Sequence, residues 1–419
     1  MSDILELKID NLGASADGIA YHNQKKYFIA YALPNELVSA EFTTNKKKPH
    51  HLKLLEVKEA TPDRIEAFCP KFTKCGGCAI QHLNSTAYKV WKSNILAQAL
   101  KNQAIAVKLN EIKMVGLGKR TRISISYENF KGKVEFGFFQ KFSKYITDID
   151  FCPLLVAELN DLLLPLRELL VQITRPRDSG HFMITKTATG IDLAFCPRKK
   201  DNLELINQFL IDFAHKYNIA RITRAGKELI IERIKPQVTF AGQHVDFPSG
   251  AFLQPSLEGA GMLLAEIIKI ITNYKLKPKK ILDLCCGLGT FSLPLTKYAF
   301  VKAIDVHGPS INALKKHEDK ALAVEERNLF TNPLVKDEIL AFDLVIINPP
   351  RCGAEKQIKN IAESHIKNLI YISCDITSFA NAAKILLEHG YKLLETTPID
   401  QFPYTNHLEV VGYFSCEKK

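Results

Sequence analysis

From residue 251 onward the chain alternates between two apolar periodicities, and this alternation constrains the fold more than any other feature. Helical spacing of apolar residues in MLLAEIIKIITNY, FSLPLTKYA and INALKKHEDKAL is interleaved with short apolar runs in KKILDLCC, VKAIDV and AFDLVIINPP. Helices and strands in alternation form a doubly wound parallel sheet, which binds ligands beyond the carboxyl ends of its strands. The sequence therefore predicts an α/β C-terminal domain with a site at that edge of the sheet.

The N-terminal residues 1–60 have a different pattern. Short alternating runs such as KKYFIAYAL and ELVSAEF are separated by turn residues, which predicts a small antiparallel barrel. Such barrels often carry RNA-binding surfaces, and the basic stretch KKKPHHLK (46–53) would form a loop on this one. A plain packing module is the alternative.

Between these two regions the sequence predicts a helix and a hairpin. The stretch TAYKVWKSNILAQALKNQ has the apolar spacing of a helix, with Ser85 as its predicted N-cap. Two alternating runs follow in RTRISISYENFKGKVEFGFFQ, where NFKG is the predicted turn.

The positive charge of the chain is concentrated in one segment. The formal net charge is +11, and residues 61–150 contain 15 Lys and Arg against 7 Asp and Glu. A locally basic surface suits a polyanion such as nucleic acid, although a solvated lysine-rich face would give the same count.

No apolar run has the ~20 residues of a membrane span, and the acidic N-terminus is unlike a secretory signal, so we expect a soluble cytoplasmic protein.

Four of the ten cysteines form a candidate metal site. Cys69, Cys75 and Cys78 have the spacing C-x5-C-x2-C, and Cys152 is a distant fourth. Clustered thiols of this kind hold zinc or an iron–sulfur cluster, and spacing alone does not choose between the two. Proline follows both Cys69 and Cys152, which favours iron–sulfur.

The strand ends of the C-terminal domain carry a candidate cofactor site. Gly287 and Gly289 follow the first strand, where glycine allows close approach of a ligand to the backbone. Position 292 is serine, so the third glycine of a dinucleotide fingerprint is missing. Asp305, at the end of the next strand, can accept hydrogen bonds from a ribose diol. A ribose site without phosphate contacts favours S-adenosylmethionine.

Two further strand ends carry candidate substrate-binding and catalytic residues. Asn348 begins an Asn-Pro-Pro element like that of amino-methyltransferases, but Arg351 stands where those enzymes have an aromatic residue, and can pair with a phosphate or a base edge. Cys374 ends the apolar run LIYIS. A thiolate that attacks C6 of a pyrimidine makes C5 nucleophilic, and a base must then remove the C5 proton. Glu409, among apolar neighbours in the last strand, is the candidate base.

Together these motifs resemble the RNA 5-methyluridine methyltransferase family, whose bacterial members modify 23S rRNA or the tRNA T-loop. The resemblance covers the whole chain, with an N-terminal TRAM barrel over residues 1–60. The matching motifs are the four cysteines, F-x-Q at Phe252 and Gln254, S-C at Ser373 and Cys374, and H-x-E at His407 and Glu409.

The resemblance implies a [4Fe-4S] cluster on the four cysteines, and S-adenosylmethionine contacts from named positions. These positions are Gln254, Cys285, Thr290, Asp305, Asn328 and Asn348. This chain departs from the family pattern at some of these positions. Relatives often have an aromatic residue in place of Cys285, an asparagine in place of Thr290 and an acidic residue in place of Asn348. They also usually have Asn-Pro where this chain has Asp375-Ile376.

The resemblance also implies a domain division and a substrate. The helix near 84–115 packs on the catalytic domain in this family, which gives a middle domain of 61–83 and 116–249 and a methyltransferase domain of 84–115 and 250–419.

We expect a monomer that methylates C5 of a uridine in structured RNA, with 23S rRNA favoured over tRNA. The candidate RNA contacts are Arg120, Arg122, Phe252 and Arg351. The alternative for Arg120 and Arg122 is an ordinary surface charge, and the alternative for Phe252 is packing in the core. An amino-methyltransferase and a non-catalytic iron–sulfur RNA-binding or redox-sensing protein are the alternatives.

Overall fold

The computed structural model describes residues 4–43, 49–141, 143–198 and 203–417. Residues 46–48 of the predicted basic loop, and the first three residues of the predicted barrel, lie outside this described part. No helix within it is both long and apolar enough to span a membrane.

The N-terminal region is a six-stranded sheet with the strand order β1-β5-β6-β4-β3-β2. Its strands are β1 (Ile4–Lys8), β2 (Asn11–Leu12), β3 (Asp17–His22), β4 (Lys25–Ala30), β5 (Leu37–Phe42) and β6 (His51–Glu59). The pairs are antiparallel except β4 with β6, which run parallel. Alternate side chains such as Leu7, Ile29 and Val38 form its core. Closure into a barrel stays a prediction.

The helix that follows joins this sheet to the C-terminal region. It is α1 (Ser85–Asn102), and β7 (Lys113–Met114) comes after it. The N-cap is Asn84 rather than the predicted Ser85, because the Asn84 side chain accepts a hydrogen bond of 2.9 Å from the Ala87 amide. Leu96 and Leu100 share a hydrophobic cluster with strands of the C-terminal sheet.

The middle region is a seven-stranded sheet of order β10-β9-β8-β11-β12-β13-β14 that packs on helices. Its elements are β8 (Arg122–Phe130), β9 (Lys133–Phe139), β10 (Ile146–Asp148), α2 (Ala157–Asn160), α3 (Leu163–Ile173), β11 (Ser179–Thr187), β12 (Gly190–Pro197), α4 (Leu203–Lys216), β13 (Arg221–Arg224) and β14 (Glu228–Glu232), followed by the hairpin of β15 (Gln237–Phe240) and β16 (Gln243–Asp246). The predicted NFKG turn is confirmed. Lys131 and Gly132 have φ values of +52° and +92°, as a tight two-residue hairpin requires.

The C-terminal region is an eight-stranded sheet of order β19-β18-β17-β20-β21-β23-β22-β7. Its elements are α5 (Leu257–Asn273), β17 (Lys280–Leu284), α6 (Ser292–Leu295), β18 (Phe300–Asp305), α7 (Gly308–Lys315), β19 (Leu322–Glu326), α8 (Lys336–Leu340), β20 (Leu344–Ile347), α9 (Glu355–Ser364), β21 (Asn368–Ser373), α10 (Ile376–Glu388), β22 (Lys392–Asp400) and β23 (Glu409–Ser415). The predicted α/β fold is confirmed.

Two details of this sheet differ from the prediction. The parallel pairing covers β19 to β21, whereas β23 runs antiparallel between β21 and β22. The predicted helix over INALKKHEDKAL ends at Lys315, and Leu322 already begins β19. The antiparallel insertion matters because it turns the start of β23 toward the carboxyl end of β21.

A buried ion pair ties α1 to the loop between β22 and β23. Lys92 and Asp400 are both fully buried and lie 3.0 Å apart. Tyr88 donates a hydrogen bond of 2.5 Å to Asp400, and Lys92 also donates to the backbone carbonyl of His407. Burial lowers the pKa of Lys92, and the negative charge of the Asp400 carboxylate acts in the opposite direction. This pair fixes the loop that leads into the start of β23.

Replacing Lys92 by methionine should destabilise the protein, because the Asp400 carboxylate stays buried without its cation. Removal of one partner of a buried ion pair costs about 3–5 kcal/mol, which equilibrium unfolding in urea measures. Lys89→Met removes an exposed lysine of the same helix and should stay within about 0.5 kcal/mol of the wild type. Equal stability of the two variants would contradict this role of the pair.

Candidate active site

Cys374 lies in the turn between β21 and α10. All six residues of β21 are buried, as expected for a central strand with a continuous apolar run. The Ser373 hydroxyl accepts a hydrogen bond of 3.2 Å from the Asp375 amide, and Asp375 caps α10 by accepting 2.7 Å from the Ser378 amide. The half-buried thiol is therefore held at the carboxyl edge of the sheet. Asp375 serves here as the helix cap.

Glu409 begins β23 beside this edge and is bonded to a second buried polar side chain. Gln401 donates hydrogen bonds of 2.8 Å to Glu409 Oε1 and of 2.8 Å to Gln254 Oε1. All three side chains are buried. The predicted base and the predicted cofactor contact at Gln254 are thus connected through one amide group that the sequence analysis did not single out.

The electrostatics of the site favour neutral forms of the thiol and the carboxyl group. Burial raises the pKa of Glu409 to about 7, against the opposing effects of the Gln401 hydrogen bond and the Arg351 charge. Burial also raises the pKa of Cys374, and so does the negative charge of Glu409, while Arg351 lowers it. A group with a pKa near neutrality suits proton transfer in either direction.

Arg351 and His407 complete the surroundings of the thiol. The Arg351 guanidinium lies 3.2 Å from His407 Nε2 and is exposed. Burial and the positive charges of Arg351 and Lys92 lower the pKa of His407 to about 4. His407 is therefore neutral at physiological pH, and Arg351 is the cation nearest the nucleophile candidate.

The predicted cofactor residues lie at the carboxyl ends of β17, β18 and β20. Asp305 accepts hydrogen bonds of 3.0 Å from the Gly287 amide and 2.8 Å from the His307 amide. Cys285, Gly287 and Gly289 all have positive φ values, of +59°, +57° and +85°. A Cβ at Gly289 would come within 2.6 Å of Leu314. The loop thus packs against α7. Position 289 requires glycine because a side chain would clash with Leu314 and because the φ value is positive.

The remaining predicted cofactor residues lie on neighbouring segments. Asn348 follows β20, and its amide bonds to the Leu284 carbonyl at 3.2 Å. Thr290 is half-buried after the glycine loop, and Asn328 accepts 2.9 Å from the Phe330 amide in the segment after β19. Behind them Asp283 is buried against Ser292 at 2.5 Å, and burial raises its pKa to about 7.

The four candidate metal cysteines lie in one region. Burial, together with the charges of Cys152, Cys75 and Cys69, raises the pKa of Cys78 to about 12, which requires the four thiols to be near one another. The Gly77 amide donates to Cys75 Sγ at 3.4 Å. Even so, in the described ranges no group of three or more His, Cys, Asp or Glu residues has an arrangement that could hold a metal ion. The thiols are neighbours without forming a closed ligand set.

This cysteine segment contacts the loop that carries His407. The Ala79 amide donates 2.8 Å to the Tyr404 carbonyl, and the rings of Phe68 and Tyr404 lie 4.9 Å apart. Tyr404 in turn is bonded through its amide to the Tyr88 hydroxyl at 2.8 Å. The candidate metal region thus contacts the middle of the short loop that leads into β23, where the candidate base begins the strand.

The candidate RNA contacts fall in two settings. The Arg122 guanidinium lies 5.7 Å from the centre of the Phe252 ring, and Phe252 is 62% exposed. Core packing, the alternative for Phe252, is therefore wrong. Arg120 bonds through Nε to the Arg122 carbonyl at 3.0 Å, and burial lowers its pKa, against the charges of Cys152 and Cys78.

An open cleft of ≈ 1230 Å³ leads to Cys374. It runs from Asn11 and Lys26 of the N-terminal sheet along the exposed side of α1, past Asn94, to Asn406 and the thiol. The cleft thus connects the N-terminal sheet, α1 and the nucleophile candidate in one continuous opening.

Sequence reasoning missed Gln401 and Lys92. Neither has a motif of its own, and each matters only because residues distant in sequence meet it, with Lys92 and Asp400 separated by 308 positions. A lysine on the apolar face of a predicted helix was the one available signal, because a buried lysine needs a partner.

Comparison with known proteins places the chain among RNA methyltransferases. Residues 198–416 match the family model described as tRNA (Uracil-5-)-methyltransferase. An uncharacterized RNA methyltransferase of Brucella suis biovar 1 (strain 1330) is 32% identical, with 97% of each chain covered. The 23S rRNA (uracil(1939)-C(5))-methyltransferase RlmD of Vibrio vulnificus (strain CMCP6) is 30% identical, with 98% of this chain and 95% of that protein covered.

One solved structure has a similar overall fold. The tRNA (uracil-54, C5)-methyltransferase of Pyrococcus abyssi, in complex with S-adenosyl-L-homocysteine, superposes with a TM-score of 0.72. The match covers 98% of this chain and 100% of that one at 19% identity, which makes it a likeness of fold.

The stability of the protein relative to its Glu409→Gln variant should fall as the pH rises from 4.5 to about 7. In this window the unfolded chain loses the Glu409 proton while the folded protein keeps it, so folding becomes less favourable by on the order of 3 kcal/mol. The difference should be constant below and above the window.

Urea unfolding at a series of pH values measures this difference. Glu388→Gln removes an exposed carboxyl group at the end of α10 and serves as the matched control. A Glu409→Gln variant whose stability runs parallel to the wild type across the window would contradict the raised pKa.

Proposed function

The chain belongs to the tRNA (uracil-5-)-methyltransferase family, and we propose that it transfers a methyl group from S-adenosylmethionine to C5 of a uridine in structured RNA. The observation that carries this proposal is the position of Cys374 and Glu409. Cys374 directly follows β21 and Glu409 begins the adjacent strand β23, and the charge of Glu409 reaches the thiol. A thiol and a nearly neutral carboxyl group are the two groups that C5 methylation of a pyrimidine requires.

The carboxyl edge of the sheet fits S-adenosylmethionine. Asp305 would accept from the ribose, and the loop of Gly287 and Gly289 allows close approach to the backbone. Gln254, Cys285, Thr290, Asn328 and Asn348 are the further contacts that we propose. The bound cofactor supplies the methyl group.

The chain's own residues carry the remaining steps. Cys374, as the thiolate, forms a bond to C6 of the uracil ring, and the electron pair of the C5–C6 double bond moves toward C5. After C5 has gained the methyl group, Glu409 takes the C5 proton, the double bond re-forms and the thiolate leaves. Arg351, the cation beside the thiol, favours the thiolate before attack and after release.

We propose 23S rRNA as the substrate, with tRNA as the alternative. The full-length similarity to a 23S rRNA methyltransferase supports this choice. The target base must leave its stack to reach Cys374, which costs least in a single-stranded loop. Phe252 offers an exposed ring for stacking, and Arg120, Arg122 and Arg351 offer charge along the approach.

We also propose that Cys69, Cys75, Cys78 and Cys152 hold a [4Fe-4S] cluster with a structural role. Their chemistry supports this proposal, because four half-buried thiols are neighbours and one of them accepts an amide hydrogen bond, although they do not form a closed ligand set in the part of the chain that the structure describes. A cluster would cross-link the cysteine segment that contacts Tyr404, and so brace the loop that precedes Glu409.

The same proposal includes a division into domains, an oligomeric state and a cellular location. The cluster shared by α1 and the C-terminal sheet supports the assignment of 84–115 to the methyltransferase domain with 250–419, and of 61–83 with 116–249 to the middle domain. The six-stranded sheet of the N-terminal region supports a TRAM-like RNA-binding barrel over 1–60. Action as a monomer in the cytoplasm completes the proposal.

Glu409→Gln should stall the reaction with methylated RNA attached to Cys374, because the variant cannot remove the C5 proton. Denaturing electrophoresis with labelled RNA should show a slow protein–RNA band, and sequencing of RNA trapped in cells would distinguish 23S rRNA from tRNA. Cys374→Ala and the double variant should show neither band nor product. Methylation by Cys374→Ala would contradict the covalent mechanism, and normal turnover by Glu409→Gln would contradict only the assigned base.

Protein purified without oxygen should be brown and contain about four iron atoms per chain. Cys75→Ser should lose the iron and the visible absorption, while Cys196→Ser, which changes a half-buried cysteine outside the set, should keep both. Iron analysis and absorption spectra make the comparison. A colourless, fully active protein with stoichiometric zinc would contradict the cluster.

A further inference from the structure

One amide group joins the candidate base to the cofactor side of the site. Gln401 Nε2 donates 2.8 Å hydrogen bonds to both Glu409 Oε1 and Gln254 Oε1. Gln401 follows β22, Glu409 begins β23, and Gln254 precedes α5. Three separate segments thus meet in a buried chain of three polar side chains.

Two members of this hydrogen-bonded chain, Gln401 in the middle and Glu409 at one end, each leave an oxygen atom without a partner within the described ranges. In the part of the protein that the structure describes, Gln401 Oε1 and Glu409 Oε2 are buried and accept no hydrogen bond. Gly259 makes the room, because a Cβ there would lie 2.5 Å from Gln401 Oε1 and 3.0 Å from Ser256 Oγ. The unpartnered Gln401 oxygen and the Ser256 hydroxyl thus both face the space that Gly259 leaves open, and buried polar groups without partners are costly.

The bonding pattern fits an ionised Glu409, which accepts from the Gln401 amide. A protonated Glu409 has a hydrogen to donate, and the Gln401 amide to which it is already bonded carries an unpartnered oxygen that can accept it after a rotation of the amide. Rotation of the amide by half a turn brings that oxygen to face Glu409 and Gln254, and turns the NH2 group toward Ser256. Gln254 must then donate instead of accept.

We propose that Gln401 is a positioning residue that couples the protonation state of Glu409 to Gln254 at the cofactor pocket. With Glu409 ionised, Gln254 accepts from Gln401 and presents its NH2 group to the pocket. With Glu409 protonated, Gln254 donates to Gln401 and presents its oxygen. The proton that the base takes from the substrate thereby changes the pocket from the form that receives the cofactor to the form that releases its product.

Other ionisable groups also face Glu409, and none offers the same connection. Arg351 and Cys374 act on Glu409 through charge alone. Further ionisable residues lie near the same ends of the elements around Glu409, namely Asp400 at the end of β22, His407 before β23, Asp375 at the start of α10 and Glu258 in α5. The same elements also carry Glu395 and Lys392 in β22, Glu266 and Lys269 in α5, and Lys384 and Glu388 in α10. Of these, Asp400 is paired with Lys92 and Asp375 caps its helix.

The inference rests on the proposed function, since Gln254 must contact the cofactor. By linkage, a proton on Glu409 and a ligand at Gln254 must then affect each other's binding equally. S-adenosylhomocysteine is the suitable probe, because it lacks the sulfonium charge that Glu409 would attract directly. We expect it to bind about 2- to 10-fold more tightly above the pKa of Glu409 than below it, the effect of about one hydrogen bond.

Calorimetric titration of S-adenosylhomocysteine at about pH 6 and pH 8 tests this coupling, with Glu409 largely protonated at the first and ionised at the second. In Gln401→Met, which keeps the length of the side chain and removes its hydrogen bonds, the affinity ratio should fall to about 1. Glu409→Gln should lose the pH dependence as well, and it retains a hydrogen-bonding side chain if Gln401→Met fails to fold. Gln208→Ala, at an exposed glutamine of α4, should keep the wild-type ratio.

Equal affinity of the wild type at both pH values would overturn the proposal. So would a Gln401→Met variant, or a Glu409→Gln variant, with the wild-type pH dependence. Failure of the wild type to bind S-adenosylhomocysteine at any pH is a different outcome, because it would remove the proposed cofactor site itself.

Discussion

The buried ion pair of Lys92 and Asp400 is the interaction on which the site depends. Both side chains are fully buried, so neither can keep its charge without the other. The pair fixes α1 against the end of β22, and the second bond of Lys92, to the His407 carbonyl, fixes the loop that follows. That loop determines where β23 begins and therefore where the Glu409 carboxyl group lies. A helix that precedes the middle region in sequence thus positions a group in the last strand.

The electrostatics of the site follow from this arrangement. Burial in the sheet raises the pKa values of both Cys374 and Glu409, while Arg351 at the rim opposes both shifts. The thiol and the carboxyl group raise one another's pKa through their like charges, so the site disfavours ionising both at once.

The cysteine segment reaches the same loop from the other side. Ala79 bonds to the Tyr404 carbonyl, and Tyr88 bonds to the Tyr404 amide. Both bonds are made to Tyr404, in the middle of the loop between β22 and β23. Any change that loosens the cysteine segment therefore also loosens Tyr404, and with it the loop that leads to Glu409.

The sequence by itself determined the α/β fold, the strand ends at Asp305 and Cys374, and the identity of the candidate nucleophile and base. These features depend on local periodicity and on residue chemistry, which the sequence displays directly. Only the tertiary structure decided that β23 inserts antiparallel beside β21, that Asn84 rather than Ser85 caps α1, and that Gln401 joins Glu409 to Gln254. Such contacts link residues far apart in the chain, and their energy comes from burial and desolvation, which exist only once the segments have met.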